Sequence, residues 1–273
     1  MIVTPNFSHF PMSNIVLGDE NSPSLMIGGF ENLVGAVHNY HLIKQNFKSG
    51  KGTEWGSLHP CCLSGSARFF KPAYSIFLIN KWLPSIKGAV TTLTKGGSFA
   101  DVGCGFGHST RMIAEQFPQS FIRGIDPHDQ SIREAQKIAE QKSLSNLSYE
   151  IASAEDYSGE YDIISFFDCL HDMGDPVAAV SYAKTKLKNG GALMIIEPYA
   201  NDEISENFNI IGQMYYSFST IACVPSSTSQ KVGMALGPQA DLKKLTNTLN
   251  NGGLLQVEMT YKTGSNMVIE ARA

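Results

Sequence analysis

Long apolar runs are missing from this 273-residue chain. No stretch of about 18 apolar residues occurs, so no membrane-spanning helix is expected. Basic clusters are missing as well: the 21 Lys and Arg are scattered, never more than a pair in a row, and the net charge is −4. A nucleic-acid binder carries a basic stripe, so a nucleic-acid partner is disfavoured. The N-terminus has no basic stretch followed by an apolar core, so no secretion signal is expected. The five cysteines are odd in number and contain no C-x-x-C. They read as reduced thiols and a cytoplasmic location. Cys61 and Cys62 beside His59 have the wrong spacing for zinc. Internal repeats and low-complexity segments are also absent.

What is present is an ordinary globular composition, 42% hydrophobic and 17% charged, long enough for a sizeable core. The chain is organised around Ser98 to Ser109. Ser98 to Val102 reads as a buried strand, followed by glycines at Gly103, Gly105 and Gly107, and then by a helical pattern from His108. Strand, glycine turn and helix is how an α/β sheet receives a nucleotide-like ligand. Glycine allows the tight turn and the close approach of a ligand to backbone N–H groups. A second strand, Phe121 to Ile125, ends in Asp126, 23 residues after Gly103. That is close to the roughly 20 expected for a carboxylate on ribose hydroxyls. The spacing is G-x-G-x-G rather than G-x-G-x-x-G, and nothing supplies a second phosphate site. A ligand with an adenosine and no phosphates is favoured over a dinucleotide.

Further strands are read at Leu147 to Ile151, Tyr161 to Phe167 and Ala192 to Glu197, with helices at Asp129 to Lys142 and Pro176 to Leu187 between them. The alternation predicts a doubly wound, mostly parallel sheet. Leu254 to Tyr261 and Asn266 to Ala271 read as a closing antiparallel pair, which completes seven strands. Ahead of the sheet, Met1 to about Asp19 reads as an irregular arm. Ser22-Pro23 starts a helix whose apolar face is Leu25, Met26, Phe30, Leu33, Val34 and Val37, and a later helical pattern is interrupted by Pro72 and Pro84. Residues 1–95 are expected to form a helical cap and residues 96–273 the ligand-binding domain. An insertion at about 199–238, carrying Tyr215, Tyr216, Phe218 and Cys223, is expected to roof the substrate site.

The stretch Asp101-Val102-Gly103-Cys104-Gly105-Phe106-Gly107 resembles motif I of the class I S-adenosylmethionine-dependent methyltransferases. Leu170-His171-Asp172-Met173-Gly174-Asp175 looks like the L-H-D-x-x-D segment of small-molecule O-methyltransferases. Trp82-Leu83-Pro84, Ile196-Glu197-Pro198 and Val232-Gly233 with Ala235-Leu236-Gly237 bring the likeness closer to one bacterial subfamily. Its members usually carry an N-terminal winged-helix domain. The likeness here covers roughly Leu17 to the C-terminus, without that domain, so a homodimer is left open. Motif I departs from the subfamily at Phe106 and His108.

The resemblance implies a Rossmann-like methyltransferase with S-adenosylmethionine as cofactor and a small-molecule methyl acceptor. It implies backbone contacts at Gly103, Cys104, Gly105 and Gly107, and Asp101 on water or the cofactor ammonium. Asp126, with Pro127 beside it, falls at the ribose. Ser153, Ala154 and Glu155 fall where family members hold the adenine ring, with Ser153 replacing the usual Asp. Phe167 and Asp168 end the fourth strand at the ligand edge. If the acceptor is a hydroxyl, a base must take its proton; His171 is the candidate, positioned by Glu197. Asp101 ordering the turn, His171 capping the next helix, and Tyr74, Tyr215 and Tyr216 as core or lid aromatics are the plainer readings. Asp168, Asp172 and Asp175 sit too close in one loop, without an Asp-Asn pair, for a catechol-type Mg²⁺ site, so no metal is expected. A cofactor-binding protein without catalysis and an NAD-dependent oxidoreductase are the competing functions.

Overall fold

The computed structural model describes residues 11–273; Met1 to Phe10 of the expected arm lie outside the described residues. Seven strands form one sheet: β1 Ser98–Val102, β2 Phe121–Asp126, β3 Leu147–Ile151, β4 Tyr161–Phe167, β5 Leu187–Pro198, β6 Gln256–Lys262 and β7 Asn266–Arg272. Their order is β3-β2-β1-β4-β5-β7-β6. β7 runs antiparallel to both β5 and β6, and every other pairing is parallel. This is the mostly parallel seven-stranded α/β sheet that the alternating pattern predicts. The strand order reverses beside β1, where β1 pairs with β2 on one side and β4 on the other. Ligands of open α/β sheets bind outside the strand C-termini at such a switch point.

Both faces of the sheet are covered. One face packs Ala100, Val102, Ile164, Phe166, Leu193 and Ile195 against helices Pro176–Lys186 and Leu242–Asn251. The other packs Phe99, Ile122, Ile163, Met194 and Ile196 against Tyr74, Leu78, Trp82, Leu83 and Leu93. Each fully buried Val, Leu, Ile, Phe or Met among them contributes roughly 1.5–3 kcal/mol of transfer free energy. Residues 74–93 therefore belong to the layer that closes the sheet.

Three sequence expectations differ from the structure. Pro11–Leu17, inside the expected irregular arm, is helical. Pro72 does not interrupt its helix: Pro60–Ala73 runs through it into a π-helical stretch at Tyr74–Trp82. The helix Ile27–His38 also turns its apolar stripe the other way. Gly28, Asn32 and Gly35 are its buried residues, while Phe30 is 54% and Val37 76% exposed. The helix crosses Pro60–Ala73 backbone to backbone. A Cβ on Gly28 would lie 2.4 Å from the Phe69 nitrogen, and one on Gly65 2.7 Å from the Asn32 nitrogen. Close approach on small residues, rather than burial of the apolar stripe, sets this helix's orientation.

Candidate active site

A cavity of about 330 Å³ opens at the carboxyl edge of β1, β2 and β4, and extends under helices Ile27–His38, Pro60–Ala73 and Ile210–Phe218. That volume lies within the range of small-molecule sites. Gly103, Cys104, Gly105, Asp126, Pro127, Ser153, Ala154, Glu155, Phe167, Asp168 and His171 all line it. Asp101, Gly107 and Glu197 do not, and each is placed behind the wall.

One end of the cavity is built from the β1 turn. Gly103 and Gly105 have φ of 76° and 50°, where a side chain is strained. A Cβ on Gly105 would meet nothing within 4 Å, so the open side of the turn faces the cavity. Gly107 serves packing: a Cβ there would lie 2.3 Å from the Tyr149 hydroxyl oxygen. Asp126 Oδ2 accepts from the Gly105 N–H at 2.9 Å and Oδ1 from the His128 N–H at 2.8 Å. Burial raises its pKa, and those two N–H groups pull it back. The carboxylate is thus fixed at the wall, and each oxygen keeps a lone pair for a hydroxyl. An adenosyl group with a free ribose diol fits this end: an open glycine turn, one anchored acid, and no basic side chain gathered for phosphates.

Asp101 has a different job. It is fully buried, and its carboxylate accepts from Ser109 Oγ and Thr110 Oγ1, both at 2.7 Å, and from Ser165 Oγ at 3.1 Å. Burial raises its pKa to about 6 against the pull of those hydroxyls. It ties the helix after the turn to β4. Phe106 packs with Trp55, Leu58, Leu63 and Ala222, joining the glycine turn to the cap and the insertion. His108 lines the cavity with its pKa lowered to about 4 by burial and by Arg111 and Lys71, so it is neutral.

The other end of the cavity surrounds His171. Burial alone would lower the pKa of this imidazole, but the charges of Asp172 and Glu197 raise it well above its ordinary value. Glu197, 2% exposed at the end of β5, accepts from the His171 ring at Nδ1 and from the His171 backbone N–H at 3.2 Å. Asp172 Oδ1 lies 3.1 Å from Nε2. The loop is clamped by the insertion: Gln230 Nε2 donates to the Asp172 carbonyl at 3.0 Å, and Ser227 Oγ to the Met173 carbonyl at 2.7 Å. Asp168, at φ 51°, accepts from the Tyr74 hydroxyl at 2.8 Å and from Asn266 Nδ2 at 3.1 Å. Burial, then the charge on Glu197, raises its pKa to about 8. Apolar and aromatic groups complete the wall: Trp55, Phe69, Phe70, Tyr74, Tyr215 and Phe218.

Sequence reasoning did not single out Asn266 or Asn32, placed Cys223 only within the expected substrate roof, and set Tyr74 aside. Tyr74 and Asn266 lie 94 and 98 residues from Asp168, and no local pattern announces such contacts. In the structure Tyr74 and Cys223 both stand on π-helical segments, which are frequent at functional sites, but nothing in the sequence marks them.

Comparison with known proteins agrees with this geometry. The family model described as a methyltransferase domain matches residues 93–253. The ubiquinone biosynthesis O-methyltransferase of Acinetobacter baylyi is 26% identical over 151 residues, which cover 54% of this chain and 60% of that protein. An O-methyltransferase family protein from Burkholderia thailandensis superposes with a TM-score of 0.68 at 16% identity, covering 96% of this chain and 76% of that one. Human N-acetylserotonin methyltransferase, solved with S-adenosylmethionine, gives 0.66 at 14% identity, covering 96% and 74%. With the matched segment enclosing the glycine turn, Asp126 and His171, the chain belongs to the methyltransferase-domain family and is a class I S-adenosylmethionine-dependent methyltransferase.

Proposed function

We propose that the protein methylates a hydroxyl group on a small, largely apolar aromatic molecule, with His171 as general base. The observation that carries this is the placement of a Glu197-held imidazole among six aromatic side chains in the cavity that also reaches the glycine turn. The O-methyltransferases among its relatives point the same way.

Bound S-adenosylmethionine supplies a methyl group already activated by its sulfonium, so the chain must align the acceptor at about 3–3.5 Å, exclude water and remove one proton. Asp126 would hold the ribose diol, with Pro127 beside it and Gly103, Cys104 and Gly105 lining the approach. Ser153, Ala154 and Glu155 would border the adenine, and Phe167 and Asp168 would separate the two ends. Glu197 fixes the His171 ring by holding Nδ1, which leaves Nε2 to the cavity. The resting imidazolium must first lose its Nε2 proton to water in the cavity; Asp172 Oδ1 lies 3.1 Å from that nitrogen. The freed nitrogen then accepts the acceptor's hydroxyl proton as the new C–O bond forms. The aromatic walls fit a flat ring, and residues 1–95 and 199–238 would shape its selectivity. Five free thiols and the lack of a membrane-crossing helix among the described residues fit a cytoplasmic enzyme.

Isotope-labelled S-adenosylmethionine incubated with a panel of phenols and hydroxylated heteroaromatics tests this. Label should enter an oxygen-bound methyl group in at least one phenol. Transfer confined to nitrogen or carbon would overturn the O-methylation reading, and no transfer with intact S-adenosylhomocysteine binding would favour a non-catalytic sensor.

A further inference from the structure

His171, Asp172 and Cys223 each present one ligand atom, a ring nitrogen, a carboxylate oxygen and a sulfur, within 4.8 Å of one another on the cavity wall. Three observations set this cluster apart from a chance meeting of polar groups. Asp172 Oδ1 is buried and has no hydrogen-bond partner, although it faces Nε2 at 3.1 Å. The other ring nitrogen of His171 is held by Glu197, the carboxylate–histidine arrangement that aims metal-ligating imidazoles. Cys223 is brought in by a π-helical turn of the insertion, and Ser227 and Gln230 of the same insertion are bonded to the loop that carries His171 and Asp172.

We propose that this trio is a site for a thiophilic divalent cation of the Zn²⁺ class, and that its occupancy inhibits methyl transfer. One nitrogen, one carboxylate oxygen and one sulfur are the donors Zn²⁺ prefers, and three protein ligands leave a fourth position open to water from the cavity. Tetrahedral bonds of about 2.0–2.3 Å place such donors roughly 3.3–3.8 Å apart, so short side-chain rotations close the set. Binding releases two protons to solvent, the Cys223 thiol proton and the Nε2 proton of the imidazolium, and the cation then occupies the lone pair of Nε2. With that lone pair engaged, His171 cannot take the acceptor's proton. The inhibitory part of the proposal rests on the general-base reading above; the cation site itself does not.

Chelator-treated full-length protein titrated with Co²⁺ tests the site without donor or acceptor present. One Co²⁺ per chain should bind, with a thiolate-to-cobalt charge-transfer absorption and the intense visible bands of a tetrahedral ion. Cys223→Ser should abolish the charge-transfer absorption, and Glu197→Gln should weaken binding about 10- to 100-fold. Retained S-adenosylhomocysteine binding certifies that each variant is folded, and Asp172→Asn, expected to weaken Co²⁺ binding, replaces any variant that is not. Absence of saturable binding at one ion per chain, or a thiolate band that survives in Cys223→Ser, overturns the site. Because the readout is spectroscopic, that result would leave the general-base reading standing. Conversely, Co²⁺ binding in a protein that methylates no hydroxyl would retain the site and discard only its inhibitory role.

Discussion

The two ends of the cavity are made in opposite ways. The cofactor end is assembled from the tips of neighbouring parallel strands: the turn after β1, Asp126 at the tip of β2, and Ser153 to Glu155 just past β3. Sheet pairing alone fixes these positions, since Val102 sits beside Ile125 and Asp126 beside Ile151 in register. The acceptor end is assembled from distant segments, with Tyr74, His171, Cys223 and Asn266 drawn from different parts of the chain. The first end rests on neighbouring strand tips alone, whereas the second needs helices and loops from both sides of the sheet as well as the ends of β5 and β7. The two acids at adjacent strand tips repeat the contrast on a smaller scale. Asp126 faces the cavity, whereas Asp101 is consumed by three hydroxyls inside the fold.

Substitutions that separate the two ends sharpen this comparison. The largest effect is expected for His171→Ala, which should lower kcat about 10²- to 10⁴-fold. Calorimetry with S-adenosylhomocysteine should meanwhile give an unchanged Kd, because the imidazole belongs to the acceptor end. A large loss of cofactor affinity would break the division. Asp126→Ala comes next: removing charge-assisted bonds of roughly 1.5–3 kcal/mol should weaken S-adenosylhomocysteine binding about 10- to 100-fold. Asp101→Ala should act on folding. Its three hydroxyl donors lose their buried acceptor, and urea denaturation should show a loss of about 1–3 kcal/mol. Cofactor affinity of the folded fraction should change far less than in Asp126→Ala; the reverse order would return Asp101 to the ligand. The smallest effect is expected at Ser153, whose Oγ accepts a long 3.3 Å bond from the Glu155 N–H. Ser153→Ala should shift S-adenosylhomocysteine affinity about threefold or less, the low end for a neutral hydrogen bond.

What could be read from the chain follows the same division. The bounds of β1, β3 and β4 agree with the sequence reading because β1 and β4 are short, mostly apolar segments and β3 alternates apolar with polar residues, and the glycine turn with Asp126 is a local pattern. β5 begins at Leu187 rather than Ala192, because its first residues pair with Tyr161 across an irregular register that no periodicity marks. The helix Ile27–His38 misled for a physical reason. Its apolar stripe is genuine, but the glycines on the opposite side permit a closer contact, and side-chain hydrophobicity carries no record of that. Asp101 and Asp126 look alike in sequence. The three hydroxyls that occupy Asp101 come from two different elements, Ser109 and Thr110 from one helix and Ser165 from β4, and only the fold brings them together.

The proposed reaction turns on a buried imidazole that must give up a proton before it can accept one. With its folded pKa raised by Asp172 and Glu197, His171 stays protonated above its ordinary pKa of about 6.5. Its contribution to stability is therefore complete below that pH and is lost as pH rises through the raised value. Activity has the opposite sense. The most direct test is the pH dependence of kcat/KM for a phenol acceptor in the wild type and in His171→Gln. The wild type should show an acid limb rising above pH 6.5, and the variant should retain only residual, pH-flat turnover over the same range. An identical limb in both proteins would contradict the assignment of the base.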